Sequence, residues 1–530
     1  MKNQTNRMPG WLEKSIFCVL VAVGVMVGVN LLTYLWGHLV ARGISILWLF
    51  LFVYFFVACI FQLFFVWYLY SRFKKRKVPE APIGLSVDVF VAAYNEPMWI
   101  VERALHAARN IDYLHNTYLL DDSPEGVYKD LAERLKTEYL TREGNLHFKA
   151  GNINNALERT SGELIAIFDI DHAPDPEFLD RTLGFFDDER IGFVQVMESF
   201  CNAEENLIAE ASAQTAVEYF NITLTCKDQV GACSHHGSNA VIRRKALESI
   251  GGYRPGLAED LETSIAIHSK GWKSAYVCEP LAPGLTPSSF QAFCKQQLKW
   301  SRGVFEAAWN SFREKSFFKL TWHQKLSYGV RFYYYIVGFS FFCGMNFTLL
   351  YLFRQDAAVY EGFLARLLSL SVISLLIRYV MLRACGTEPL ARKGVHFKGA
   401  SLVLSIWPIY VLSLICTLAR IRIPFISTPK ESGNNRIDLR TIAPQMIMFC
   451  ALLTGVVWKV IHWNEGPAPL TVLFAIVLLG QHWMLFAVIW KSMRKAGNLI
   501  LNDIQPEMQV DRSGFRETQS KRKKNRQYPE

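Results

Sequence analysis

The chain has 530 residues, with 57 Lys and Arg against 47 Asp and Glu (formal net charge +10), and is 51% hydrophobic but only 20% charged. That charge content lies below the ~25% usual in soluble domains, and mean hydropathy is positive at +0.14. A multi-domain soluble chain and a largely disordered one are both excluded, because the apolar excess falls in long unbroken runs. An integral membrane protein carrying one large soluble domain remains.

In chain order, apolar runs lie at about 15–40, 44–70, 327–353, 361–382, 399–418, 444–463 and 469–490. Each approaches or exceeds the ~20 residues a bilayer requires. The first is too long for a secretory signal and has no small-residue cleavage site behind it. Basic clusters follow the second run (Arg72, Lys74, Lys75, Arg76, Lys77), the fourth (Arg383, Arg392, Lys393, Lys398), the fifth (Arg420, Arg422, Lys430, Arg436, Arg440) and the seventh (Lys491, Arg494, Lys495).

Seven crossings would place the basic segments flanking 399–418 on opposite faces. Six crossings, with 399–418 lying in the cytoplasmic interface, keep every basic cluster inside. Pro408 fits a broken or interfacial helix there, and a seventh true span is the open alternative. The expected organisation is two transmembrane helices in 1–70, a cytoplasmic domain in 71–315, and four more helices in 316–490. The last region includes the interfacial helix 399–418 and a loop at 419–442; a basic tail at 491–530 follows, and both termini are cytoplasmic. The tail's Lys521, Arg522, Lys523, Lys524 and Arg526 read as a solvated end.

The 11 cysteines form no disulfide framework and no CxxC pair in the polar middle, which agrees with a reducing compartment and argues against a zinc site. That middle alternates short β-rich runs at 87–93, 117–120, 146–148, 164–168 and 192–196 with helical stretches at about 98–109, 126–138, 152–159 and 176–186. The alternation predicts a mostly parallel sheet covered on both faces, with ligands bound beyond the carboxyl ends of its strands.

Polar residues collect at those ends: Tyr94-Asn95-Glu96-Pro97 after the first, Asp121 and Asp122 after the second, Lys149, Gly151 and Asn152 after the third, Asp169-Ile170-Asp171-His172 after the fourth. A single acid at a strand end is commonly a helix cap, but four successive polar ends are more than capping requires. Carboxylates at i and i+2 on an extended segment project to one side, and paired hard oxygens suit Mg²⁺ or Mn²⁺ shared with substrate phosphates. Glu259-Asp260, opening a helix after the turn Arg254-Pro255-Gly256, reads equally as capping acids or as a catalytic base. Gln296, Lys299 and Trp300 share one helical face, as membrane anchors or as ligands for diphosphate and sugar.

Together these residues resemble the processive, membrane-integrated family 2 glycosyltransferases, in particular the catalytic subunits of bacterial cellulose synthases and other β-glucan synthases, over about residues 45–490. The family pattern D, D-x-D, T-E-D, Q-x-x-R-W and a gating loop F-x-V-T-x-K-G reads here as Asp122 or Asp121, Asp169-Ile170-Asp171, Ala258-Glu259-Asp260, Gln296-Gln297-Leu298-Lys299-Trp300, and Phe425 to Glu431. The resemblance implies an α/β GT-A-like cytoplasmic domain inserted between transmembrane helices. It implies UDP-sugar donor contacts from Tyr94, Glu96, Asp121, Asp122, Lys149, Asp169, Lys299, Thr428 and Lys430, and a metal (Mg²⁺ or Mn²⁺) on Asp169 and Asp171. Asp260 would be the general base, with Gln296, Trp300 and Glu259 on the acceptor.

The implied activity is processive, inverting elongation and export of a β-linked polysaccharide from UDP-glucose in a bacterial inner membrane. Its implied partners are donor, growing polymer, bilayer and an envelope export subunit, with no role for nucleic acid. A non-processive transferase acting on a lipid carrier or short glycan, and a catalytically inactive transporter or scaffold, are the alternatives. Departures from the pattern are Lys299 for arginine, Ala258 for threonine, Ser427 and Glu431 in the loop, and Ser234-His235-His236-Gly237 where Phe-Phe-Cys-Gly is usual. Lys299 keeps the charge but loses the planar fork that grips phosphate bidentately.

Overall fold

A computed structural model describes residues 10–41, 50, 53, 54, 60–123, 126–386, 389–394, 396–421 and 439–491. Its centre is a seven-stranded sheet in the order β3-β2-β1-β4-β7-β5-β8. The strands are β1 (Val87–Ala93), β2 (Asn116–Asp121), β3 (Glu138–Thr141), β4 (Leu164–Asp169), β5 (Ile191–Val196), β7 (Ala240–Arg243) and β8 (Lys273–Val277), while β6 (Ser199–Phe200) pairs apart with β9 (Pro283–Gly284). β1, β2, β3 and β4 run parallel, as do β5 and β8; β7 is antiparallel to both its neighbours and makes the sheet mixed.

Side-chain alternation divides the core between the two faces. Val89, Val91, Ala166 and Phe168 pack with Ile100, Val101 and Leu105 of helix α1 (Met98–Arg109). Phe90, Ile165 and Ile167 pack on the other face with Ala150, Ile153 and Ala156 of helix α2 (Phe148–Arg159).

The strand expected at 146–148 is absent, and β3 is Glu138–Thr141 instead. His147 and Phe148 both take left-handed φ (62° and 47°), and the Arg142 guanidinium donates to the carbonyls of Leu146 (2.8 Å) and Phe148 (2.9 Å). The chain therefore turns directly into α2, and Lys149, Gly151 and Asn152 lie in its first turns rather than after a strand. The helical stretch expected at 176–186 is a series of turns ending in a short 3₁₀ helix, Leu183–Asp187.

Among the described residues, four helices are long and apolar enough to cross a membrane: Gly10–Ala41, Ala358–Cys385, Arg440–Ile461 and Pro469–Lys491. Two bent pairs bring the number to as many as six: Trp322–Tyr334 with Val337–Leu352 (51°), and Phe397–Ser405 with Trp407–Leu418 (44°). The second pair covers the run around Pro408, which sits in the first turn after the bend, where its missing N–H leaves no helical bond unmade. Of the 44–70 run, the described helix is Gln62–Ser71.

Helix α3 (Glu259–Ser269) and helix α4 (Phe290–Arg313) tie the sheet domain to these membrane segments. His268 of α3 is buried, with Nδ1 2.8 Å from the Tyr328 hydroxyl and Nε2 3.0 Å from Ser274 Oγ. Burial lowers its pKa from 6.5 to about 3. The unfolded chain therefore takes up a proton that the fold refuses, so this contribution is complete above pH 6.5 and is lost as pH falls towards 3. His268→Gln is expected to close its Tm gap to wild type on acidification, by roughly 1.4 kcal/mol per pH unit below the unfolded pKa. Thermal unfolding in detergent at a series of pH values measures this.

Candidate active site

β1 and β2 end in register, with Ala93 opposite Asp121, so the segments following them emerge side by side. Asn95 turns the chain with φ 56°, its N–H donating to Ser123 Oγ at 3.0 Å. The Tyr94 N–H donates to Glu96 Oε2 at 2.5 Å, and the Tyr128 hydroxyl to the Glu96 carbonyl at 2.5 Å. Asp121 is fully buried; its carboxylate accepts from the Ser123 N–H and the Tyr139 hydroxyl, each at 2.8 Å. Asp122 instead faces the cavity, gripped bidentately by Arg142 at 2.7 and 2.8 Å.

Lys149 holds the next layer together. Its ammonium is ion-paired with Asp169 and donates to the Gly237 carbonyl at 2.6 Å. Burial works against its charge, but Asp169, Glu259 and Asp260 raise its pKa above the ordinary lysine value. Asp171 is buried beside Asp169, one oxygen accepting from the Leu285 N–H at 3.3 Å, and His172 lies next to it. Ligand atoms of Asp169, Asp171 and His172 lie within 4.8 Å of one another. Two carboxylates with an imidazole suit a hard divalent ion, so the donor set fits the Mg²⁺ or Mn²⁺ expected from the sequence.

Glu259 and Asp260 open α3, where the helix dipole favours anions. Burial raises both pKa values, with Lys299 the chief opposing charge for Glu259 and Arg331 for Asp260. Gln296, Lys299 and Trp300 of α4 face the same cavity. The seat of α4 on α3 is set by Gly303, where a Cβ would lie 2.9 Å from both the backbone N and the Cβ of Ala258. Gln297, on the membrane side of α4, accepts from the Tyr410 hydroxyl at 2.8 Å.

Of the described site residues that the resemblance implied, all but Asp121 line one cavity of about 790 Å³ that runs from Tyr94 and Glu96 past the acids to Arg331, Tyr334, Arg378 and Val403 on the candidate membrane helices. Thr428 and Lys430 lie outside the described residues.

Sequence reasoning missed Glu198 and Arg331, and singled out His236 only as a departure from the family pattern. Glu198 follows the end of β5 and lines the cavity; burial, then Asp169, pushes its pKa up to about 8. Its signal was the same strand-end rule applied to a fifth strand. His236 lines the wall with Nε2 3.4 Å from the Tyr219 hydroxyl, and burial holds it neutral. Arg331 donates to that hydroxyl at 2.7 Å; a lone charge inside an apolar run was its signal.

This is a mixed α/β sheet with an acidic, lysine-bridged cavity at its strand ends, the GT-A-like arrangement, flanked by apolar helices of a membrane protein. Residues 84–303 match the family described as "Glycosyltransferase like family 2" and form a glycosyltransferase family 2 domain. The chain is similar to the cellulose synthase catalytic subunit (UDP-forming) of Xanthomonas axonopodis pv. citri (strain 306), with 35% identity over 232 residues, 42% of this chain and 32% of that protein. Cellulose synthase 1 of Komagataeibacter xylinus is 27% identical over 429 residues, 76% of this chain and 26% of that protein. The chain thus spans about a third or less of the length of these curated relatives. Among solved structures, a mannosyltransferase from Pyrobaculum calidifontis in complex with GDP-Man and Mn²⁺ covers 68% of this chain and 95% of its own, at 16% identity and a TM-score of 0.43.

Asp171→Asn is expected to leave the fold intact and weaken Mn²⁺ binding by about tenfold or more, the loss typical of a disturbed ligand set. Titration of the purified protein followed by Mn²⁺ paramagnetic resonance checks it.

Proposed function

We propose that the chain is a processive, inverting glycosyltransferase that takes a UDP-sugar, UDP-glucose first among them, and elongates and exports a β-linked polysaccharide. The observation that carries this is the lining of the cavity: strand-end residues and residues of the candidate membrane helices border the same space. The UDP-forming names of its relatives supply the nucleotide. In this reading residues 71–315 and both termini face the cytoplasm of a bacterial cell, 399–418 lies in the interface, and an envelope export subunit takes up the product.

Tyr94, Glu96, Asp122 and Lys149 hold the nucleotide end of the donor. Asp121 contributes by fixing the Ser123 turn and Tyr139 beneath it. Asp169 and Asp171 hold the divalent ion, which when bound supplies Lewis-acid stabilisation of the leaving diphosphate. Lys299 adds a positive charge on that side, and Thr428 and Lys430 close over the nucleotide. Gln296, Glu259 and Trp300 orient the acceptor sugar.

Asp260 removes the proton from the acceptor hydroxyl, whose oxygen then forms the new bond to C1 of the donor sugar. The bond from C1 to the diphosphate breaks on the opposite side, its electron pair leaves with UDP, and the α linkage becomes β. Placing an ionised Asp260 at a helix N-terminus favours the form that accepts the proton.

Asp260→Asn is expected to lower transfer by roughly 10²–10⁴-fold while UDP binding persists. Because the Asp260 carboxyl is raised, the wild-type rate should fall on acidification at a pH above the ordinary aspartate range. UDP release and equilibrium binding of UDP, measured side by side, test both; wild-type turnover in the variant would remove the base assignment.

A further inference from the structure

The C-terminal end of α4 and the turn after it have no place in the reaction, yet their chemistry is distinctive. Between 309 and 325 the sequence interleaves Trp309, Phe312, Phe317, Phe318 and Trp322 with Arg313, Lys315, Lys319 and Lys325, against a single acid, Glu314. Trp309 is 60% exposed, Phe318 60% and Trp322 56%, and Phe312 is also exposed. Large aromatics left this open need a partner other than water.

Charge separates in the same way. Glu314 is committed to Arg254 at 2.6 Å, and the nearby Glu306 to Arg302 at 2.9 Å. Arg313, Lys315 and Lys319 are exposed, and among the described residues none of them is ion-paired. The acids of this surface are thus neutralised from within while its cations face outwards.

Two candidate membrane segments, distant in sequence, end at this patch. One bent pair begins at Trp322; the other ends at Leu418, and Arg420 just beyond it sits 5.6 Å from the Trp309 ring centre. Exposed Leu418 and Ile421 extend the apolar border there. Aromatic rings at the headgroup level and cations beside them match the two chemistries of a membrane surface.

We propose that this rim binds the phosphate headgroups of anionic phospholipids, with Arg313, Lys315 and Lys319 as their ligands and Trp309 and Trp322 seated at the acyl boundary. The bound leaflet would hold the far end of the helix that carries Gln296, Lys299 and Trp300.

The test is native mass spectrometry of the full-length protein after exchange into mixed phosphatidylglycerol and phosphatidylcholine. The wild type is expected to retain several-fold more phosphatidylglycerol, with the excess reduced by salt. Arg313→Gln, Lys315→Gln and Lys319→Gln combined should abolish the excess. The charge-preserving set Arg313→Lys, Lys315→Arg and Lys319→Arg should keep it and controls for misfolding. Equal retention of the two lipids, or an excess unchanged by the neutral set, overturns the proposal. Retention is read without turnover, so failure of the transferase reading leaves this result interpretable.

Discussion

One half-buried cation holds the site together. Lys149 sits among Asp169, Glu259 and Asp260, groups that cannot all be ionised in a low-dielectric cavity without a compensating charge. Its ammonium also reaches the Gly237 carbonyl, so one side chain joins helix α2, the end of β4 and the 234–238 loop. Ser238 completes the tie by accepting from the Asp169 N–H at 2.9 Å. The left-handed pair His147 and Phe148 points α2 so that its first turn delivers that lysine. Asp169 beside Asp171, the Glu259-Asp260 pair at the start of α3 and the Ser-His-His-Gly loop are positioned relative to one another through this contact.

The second dependence is mechanical. Helix α4 presents Gln296, Lys299 and Trp300 to the cavity and Gln297 to Tyr410 on a membrane segment. Its contact with α3 needs small residues on both sides, Gly303 against Ala258. Alanine in place of threonine before the Glu-Asp pair is therefore in keeping with the tight crossing that places α4 beside Glu259 and Asp260. His268 and Tyr328 make a second bond between the same domain and the first bent pair. Site and membrane region are thus joined by buried polar contacts, which hold orientation better than apolar packing alone because a lost partner leaves an unsatisfied group.

Much of this was legible from residue order. The strands at 87–93, 117–120, 164–168 and 192–196 stand out because alternating or continuous β-branched runs end in polar clusters, and the acids of the cavity follow from those ends. The 146–148 strand failed because Leu146 and Phe148 carry a hydrophobic signal, whereas the local backbone is decided by Arg142 bonding to two carbonyls and by left-handed φ at residues with side chains. Nothing in a local pattern announces either. The antiparallel β7 was likewise illegible, since strand order is a long-range choice. Asp121 and Asp122 could not be told apart by sequence; burial separates them, one beneath the turn and the other in the cavity wall. Arg331 and Glu198 escaped notice because their role depends on which elements meet at the cavity.

We infer that this cavity transfers sugar repeatedly to a chain that leaves through the membrane region. The most direct measurement is UDP release by the purified full-length protein with UDP-glucose and Mg²⁺ or Mn²⁺, followed by sizing of the carbohydrate product. Metal-dependent release and a long, β-glycosidase-sensitive polymer are expected. Release coupled to a single added sugar, or no turnover with any UDP-sugar, would contradict it.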